Sequence, residues 1–121
     1  MSGHDYRDLT VRQKALDLVE AVYLATESFP SHEMFGLRGQ LRRAAVSVPC
    51  NIAEGQGRRS PRDFRKFLTI SRGSLCEIET QIQIAIRLNY LKADAAKSLT
   101  ERCDEVGRLL NGLIRSLERD A

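Results

Sequence analysis

The sequence predicts an all-α protein, an antiparallel up-and-down four-helix bundle. Along four segments, apolar residues recur at steps of three and four, the spacing of one helix face. Between them stand helix stop and start signals: Pro30, Gly55 to Gly57, Ser60-Pro61 and Asn89. No stretch alternates with the two-residue period of a half-buried strand. Short connections between four helices favour antiparallel neighbours.

Residues 1–9 are polar and read as a mobile tail, so the bundle is assigned to 10–121. Thr10 to Gln13 has the T-x-x-Q pattern of a capping box. Val11, Ala15, Leu18, Val22, Ala25 and Phe29 then form the first apolar seam. Pro30 disfavours helix at the residue before it and ends this segment. Ser31 is a candidate N-cap for helix two, with Glu33 in its first turn. Helix two places Leu37, Leu41, Ala45, Val48 and Ile52 on one side. Pro49, which has no N–H for the Ala45 carbonyl, is expected to kink it. The end is expected near Glu54, with Gly55 in a left-handed C-terminal position.

Helix three opens on Ser60-Pro61-Arg62-Asp63, with Ser at N-cap, Pro at N1 and an acid at N3. Its seam is Phe64, Leu68, Ser71, Leu75, Ile78, Ile82 and Ala85. Phe67, Ile70, Ile84, Ile86 and Leu88 lie off that seam, more apolar surface than one core face needs. That surplus points to an enclosed helix or a contact with another subunit. Gly73, in its middle, reads as a point of close approach. Asn89 ends the helix, and helix four carries Leu99, Cys103, Val106, Leu110, Leu113 and Leu117.

The run GLRGQLRRAAVSVPCNIAEG, from Gly36 to Gly55, resembles the signature of the 23S rRNA intervening-sequence proteins, the S23 family. Phe29-Pro30 precedes it, and Phe67-Leu68, Gly73-Ser74-Leu75 and Glu77 follow it in the same pattern. The resemblance covers about residues 6 to 91, and helix four fits only in its general pattern. It implies a four-helix bundle and a ring-shaped homo-oligomer, a pentamer. A related accessory protein of diversity-generating retroelements is similar in fold and binds nucleic acid and a reverse transcriptase. The resemblance thus implies binding rather than catalysis, with RNA, DNA, a reverse transcriptase or another protein as partner.

With 121 residues, 42% of them hydrophobic and 29% charged, the chain has the length and composition of one globular domain. Its net charge of +3 is unevenly spread. From Arg38 to Arg72 there are nine basic residues against two acids, Glu54 and Asp63. Such a local excess suggests an anionic partner. Three cysteines, Cys50, Cys76 and Cys103, form no C-x-x-C pair and no even-numbered framework. With no leader-like segment and no apolar run long enough for a membrane, the expectation is a cytoplasmic protein with no membrane partner.

Two constellations stand out as candidate sites. Arg58, Arg59, Arg62, Arg65 and Lys66 cluster at the start of helix three, with Arg38 and Arg42 added from helix two. Cations near a helix N-terminus oppose its dipole. A surface of this kind would hold phosphates without reading bases; the bland alternative is a solvated charged face. The second constellation is the line Arg43, Ser47, Asn51 and Glu54, with Glu77 on helix three as a partner for Arg43. Its first reading is a polar network that fixes helix register. Its second is a small-ligand pocket or a pore-lining ring. No catalytic residues, metal ligands or cofactor motif emerge. His4 and His32 have no Glu-x-x-His context, Cys/His zinc spacing is absent, and no phosphate-binding loop occurs. The expectation is a non-enzymatic, nucleic-acid-binding homo-oligomer; the alternative is a protein-interaction scaffold that assembles as a ring without a nucleic-acid role.

Overall fold

The computed structural model describes the backbone over residues 6–120 and side chains over residues 10–119. It holds four α-helices: α1 (Tyr6–Thr26), α2 (Leu37–Gln56), α3 (Pro61–Arg87) and α4 (Ala93–Asp120). A 3-10 turn, Ser31–Glu33, precedes α2, and there is no strand among the described residues. Each helix packs on the next and α1 closes on α4, while among the described residues the backbones of the diagonal pairs stay more than 8 Å apart (Cα–Cα) and their side chains share one core. The α2–α3 contact is the most extensive. Side-chain bonds show the antiparallel course: Arg12, early in α1, donates to Gln56 at the end of α2 (2.8 Å), and Arg42, early in α2, donates to Thr26 at the end of α1 (2.9 Å).

The core follows the seams. Val11, Ala15, Leu18, Val22 and Phe29 are buried, and Ala25 packs partly buried against them. All seven seam residues of α3 are buried, from Phe64 to Ala85. So are Leu99, Cys103, Val106, Leu110, Leu113 and Leu117 on α4. At roughly 2 kcal/mol for each large aliphatic or aromatic side chain taken out of water, this stripe is the main drive to fold. Off the α3 seam, Phe67 is part-buried, whereas Ile70, Ile84, Ile86 and Leu88 are exposed.

Helix ends differ from expectation in several places. α1 is already helical at Tyr6, so Thr10 lies inside the helix rather than capping it. Part of the assigned tail, residues 6–9, is therefore helix; residues 1–5 lie outside the described chain. Ser31 does not start α2 but opens the 3-10 turn, and α2 begins at Leu37. There Glu33 reaches forward and accepts the Leu37 N–H at 2.8 Å, satisfying a free donor of the first turn. Its other oxygen accepts from the Tyr90 hydroxyl at 2.9 Å, linking the two loops at this end of the bundle.

Gly55 is not a left-handed cap. It is a buried residue inside α2, which runs on to Gln56 with Gly57 at the C-cap in right-handed conformation (φ −79°). A Cβ at Gly55 would meet Phe64 Cδ1 at 2.8 Å and Phe67 Cβ at 3.0 Å. The glycine lets the start of α3 sit against the end of α2. Pro49 is buried within α2, which continues through it as helix. Beside it, Ser71 of α3 donates its hydroxyl to the Val48 carbonyl at 2.9 Å, a cross-tie at the proline.

Other signals hold. Ser60 Oγ accepts the Asp63 N–H at 3.1 Å, and Pro61 is the first residue of α3. α3 ends at Arg87 with Leu88 at the C-cap, and Asn89 follows in the left-handed region at φ 62°. The Asn89 N–H bonds the Ile86 carbonyl (3.0 Å) and the Tyr90 N–H bonds the Ala85 carbonyl (2.9 Å), the paired closure of a Schellman motif.

Candidate functional site

The turn after α2 and the first turns of α3 place five cations at one end of the bundle. Arg58, Arg59, Arg62 and Lys66 are exposed and Arg65 is part-buried. They are not equivalent. Arg58 pairs with Glu54 at 2.7 Å and lies over the Phe67 ring at 4.8 Å. Lys66 approaches the same ring from 5.8 Å. Among the described residues, Arg59, Arg62 and Arg65 have no acid within ion-pair distance. Phe64 is in the core and Phe67 is covered by cations, so neither is presented as a base-stacking platform. The up-and-down course also brings the C-terminal end of α4 here, with Arg115 and Arg119 exposed. Sequence reasoning missed these two. The signal was available: in an antiparallel bundle the end of helix four must share an end with the turn between helices two and three.

Arg38 and Arg42 do not join this group. They sit at the other end of α2; at 1.5 Å per residue, Arg42 is about 24 Å along the axis from Arg58. Arg42 is occupied within the fold. It donates to Thr26 Oγ1 (2.9 Å) and to the Tyr23 carbonyl (3.1 Å), and lies over the Tyr23 ring at 4.4 Å. It thereby satisfies a terminal carbonyl of α1 and complements the negative end of its dipole. Arg38 is part-buried.

The polar line of α2 divides into separate arrangements. In the middle, the Ser47 and Ser74 hydroxyls bond each other across α2 and α3 at 2.8 Å. Asn51 donates to the Ser47 carbonyl (2.9 Å) and hydroxyl (3.0 Å). At the lower end Glu54 turns to Arg58. At the upper end Arg43 and Glu77 line one cleft of about 300 Å³ but do not form the expected ion pair. Gln40, Ala44, Ser47, Ser74 and Gln81 complete its walls. Gln81 is buried, and its Oε1 has no hydrogen-bond partner among the described residues. It lies on the Ser74, Ile78, Gln81, Ala85 spacing of α3, which marks a core-facing position in the sequence.

A third cleft, between α3 and α4, is lined by Arg72, Cys76, Glu79, Cys103, Asp104 and Arg108 among others. Burial, and then the nearby Glu79 and Asp104 carboxylates, push the Cys103 thiol up to about 12. Burial first and then Asp104 raise Glu79 above the usual carboxylate value. A thiol held protonated in this way is a weak nucleophile. Among the described residues no group of three or more His, Cys, Asp or Glu side chains is arranged to hold a metal ion. No helix among them is long and apolar enough to cross a membrane.

A family model described as 23S rRNA-intervening sequence protein matches residues 7–112. Among solved structures, a protein of unknown function from the S23 ribosomal protein family of Bacteroides thetaiotaomicron is similar, with TM-score 0.81 and 26% identity over 90% of this chain and 98% of that chain. No curated protein matches.

Proposed function

Because this chain belongs to the 23S rRNA-intervening sequence protein family, we propose that it is a non-catalytic homo-oligomer that binds RNA or DNA through phosphate contacts at the basic end of its bundle. The observation that carries this reading is the cluster of Arg59, Arg62 and Arg65, with no paired acid, at the start of α3. Guanidinium groups without acidic partners are ready to take phosphate oxygens, and Arg does so with paired donors. Arg115 and Arg119 extend the same end. Nothing in this surface selects a base, so binding is through the backbone of the nucleic acid and falls steeply with salt.

Self-association is supported by apolar surface left uncovered on two different faces. Leu16, Val46 and Cys50 are exposed along the α1–α2 groove. On α3, Ile70 and Ile84 are exposed on a second line with Gly73 and Thr80, and Glu77 at its middle turns to the α2–α3 cleft. Two unlike faces joined head to tail close into a ring when the rotation permits. Copies arranged in this way would carry several basic ends on one assembly, and multivalency would add to weak phosphate contacts.

The test is binding of a single-stranded RNA and a duplex DNA by the full chain across about 50 to 200 mM salt. Wild type is expected to bind with an affinity that falls linearly on a log–log plot, and Arg59→Glu with Arg62→Glu to abolish it. Wild-type protein that binds neither at low salt refutes the reading. An intact ring without nucleic-acid binding leaves the scaffold alternative.

A further inference from the structure

The cleft between the first half of α2 and the middle of α3 has two exposed, opposite charges at its walls and one buried acceptor, Gln81 Oε1, that no described residue satisfies. Its floor is closed by the Ser47–Ser74 bond. That bond sets the register: one turn further, Arg43 stands on the α2 wall and Glu77 on the α3 wall, with Gln81 another turn along. Gln81 is only 9% exposed and its Oε1 is without a donor. Buried acceptors of this kind are nearly always paired in folded proteins. Arg43 and Glu77 have opposite charge and share the cleft, yet no ion pair joins them. One wall thus offers a cation, and the other offers a carboxylate beside a lone amide oxygen. Arg43 and Glu77 are both exposed, so water solvates their charges, and the buried Gln81 oxygen is the group that the fold leaves without a donor.

We infer that this cleft binds a small zwitterion, a free α-amino acid, with its carboxylate on Arg43 and its ammonium between Glu77 and Gln81. An ammonium group has three donors and no acceptor, which matches a carboxylate next to an unpaired oxygen. A guanidinium matches a carboxylate with parallel donors. The volume of about 300 Å³ lies at the small end of the range for ligand pockets and suits a molecule of this size. Arg43 lies about 20 Å along α2 from its end at Gln56, so the site stands independently of nucleic-acid binding.

The experiment is calorimetric titration of the full chain with a panel of free L-amino acids, alongside the N-acetyl and carboxamide forms of whichever binds. Saturable binding at about 1 mM or tighter is expected for the zwitterion. Blocking either end of the ligand should weaken it at least about tenfold, as should Arg43→Leu. Gln81→Leu should weaken binding while raising the melting temperature of the ligand-free protein, because it removes the orphaned oxygen; a purely structural glutamine would lower it. Three results overturn the proposal. One is no saturable heat from any amino acid. Another is equal binding of the blocked forms. The third is Gln81→Leu dissociating an oligomer in sedimentation while amino acids give no heat, which assigns the cleft to a side chain of a second copy.

Discussion

Replacing Gly55 with alanine tests how the basic end is positioned. In an open helix the change is favourable by about 1 kcal/mol, because glycine has more backbone freedom to lose. At Gly55 the new methyl would stand 2.8 Å from Phe64 Cδ1, 3.0 Å from Phe67 Cβ and 3.2 Å from the Phe64 carbonyl oxygen. The Phe67 Cβ and the carbonyl cannot swing aside as a side-chain tip can, so α3 itself must move. Overpacking of this sort costs about 1–3 kcal/mol, and the two rigid neighbours place it in the upper part of that range. The net loss is then about 1–2 kcal/mol, or roughly 4–8 °C in melting temperature for a chain of this size. Gly73→Ala is the matched control, since a Cβ there would have nothing within 4 Å. It should gain about 1 kcal/mol. The assay is thermal unfolding at one fixed protein concentration, because self-association shifts the midpoint. A Gly55→Ala protein that melts at or above wild type refutes the close-approach argument. Sedimentation of Gly73→Ala adds a second reading: a more stable fold with a weakened oligomer would place another copy against the exposed line of α3.

Arg42→Ala removes two hydrogen bonds and a ring contact at the end of α1. It should lower stability by about 1–2 kcal/mol in urea unfolding. The salt slope of nucleic-acid binding should not change, which separates Arg42 from Arg59 and Arg62. The Leu37 N–H bond, then the Tyr90 hydroxyl, hold Glu33 below the ordinary carboxylate value of 4.5. With its folded value depressed, the stability Glu33 contributes is present above pH 4.5 and is lost as pH falls through the lower, folded value. Glu33→Gln should therefore remove part of the acid sensitivity seen in unfolding midpoints between neutral pH and pH 3. An unchanged acid profile would sink that assignment. Asn51→Leu loses both bonds to Ser47 and should lower stability by about 1 kcal/mol or disturb assembly. An unaltered melting temperature and mass would count against it.

The helices and their core were legible because burial follows the apolar period, and the period survives in one chain read alone. Val11 to Val22, Phe64 to Ala85 and Leu99 to Leu117 needed no tertiary information. Starts and ends were less legible where the decisive contact is distant in sequence. Ser31 looks like a cap, but the Glu33 carboxylate accepts the free N–H of Leu37 and also accepts the Tyr90 hydroxyl from the far loop. Gly55 looks like a terminator, but the close approach of Phe64 explains it. The candidate sites suffered from the same gap. Arg38 and Arg42 are near Arg58 in the alphabet of charge but not along the helix axis. The Arg43 to Glu54 line was correctly placed on one helix, yet its members turn to different neighbours. Gln81 stands at a core spacing but is neutral, and only the tertiary packing makes its oxygen a buried acceptor without a partner among the described residues.

The three thiols report on different surroundings. Cys103 is sealed among α3 and α4 and held as the neutral acid, so ordinary alkylating reagents should spare it until the chain opens. Cys50 faces the groove between α1 and α2, and Cys76 faces outward from α3. The molecule therefore carries its own footprinting probes, one on each greasy flank and a silent reference inside, with no engineered label needed to see which flank a neighbour covers.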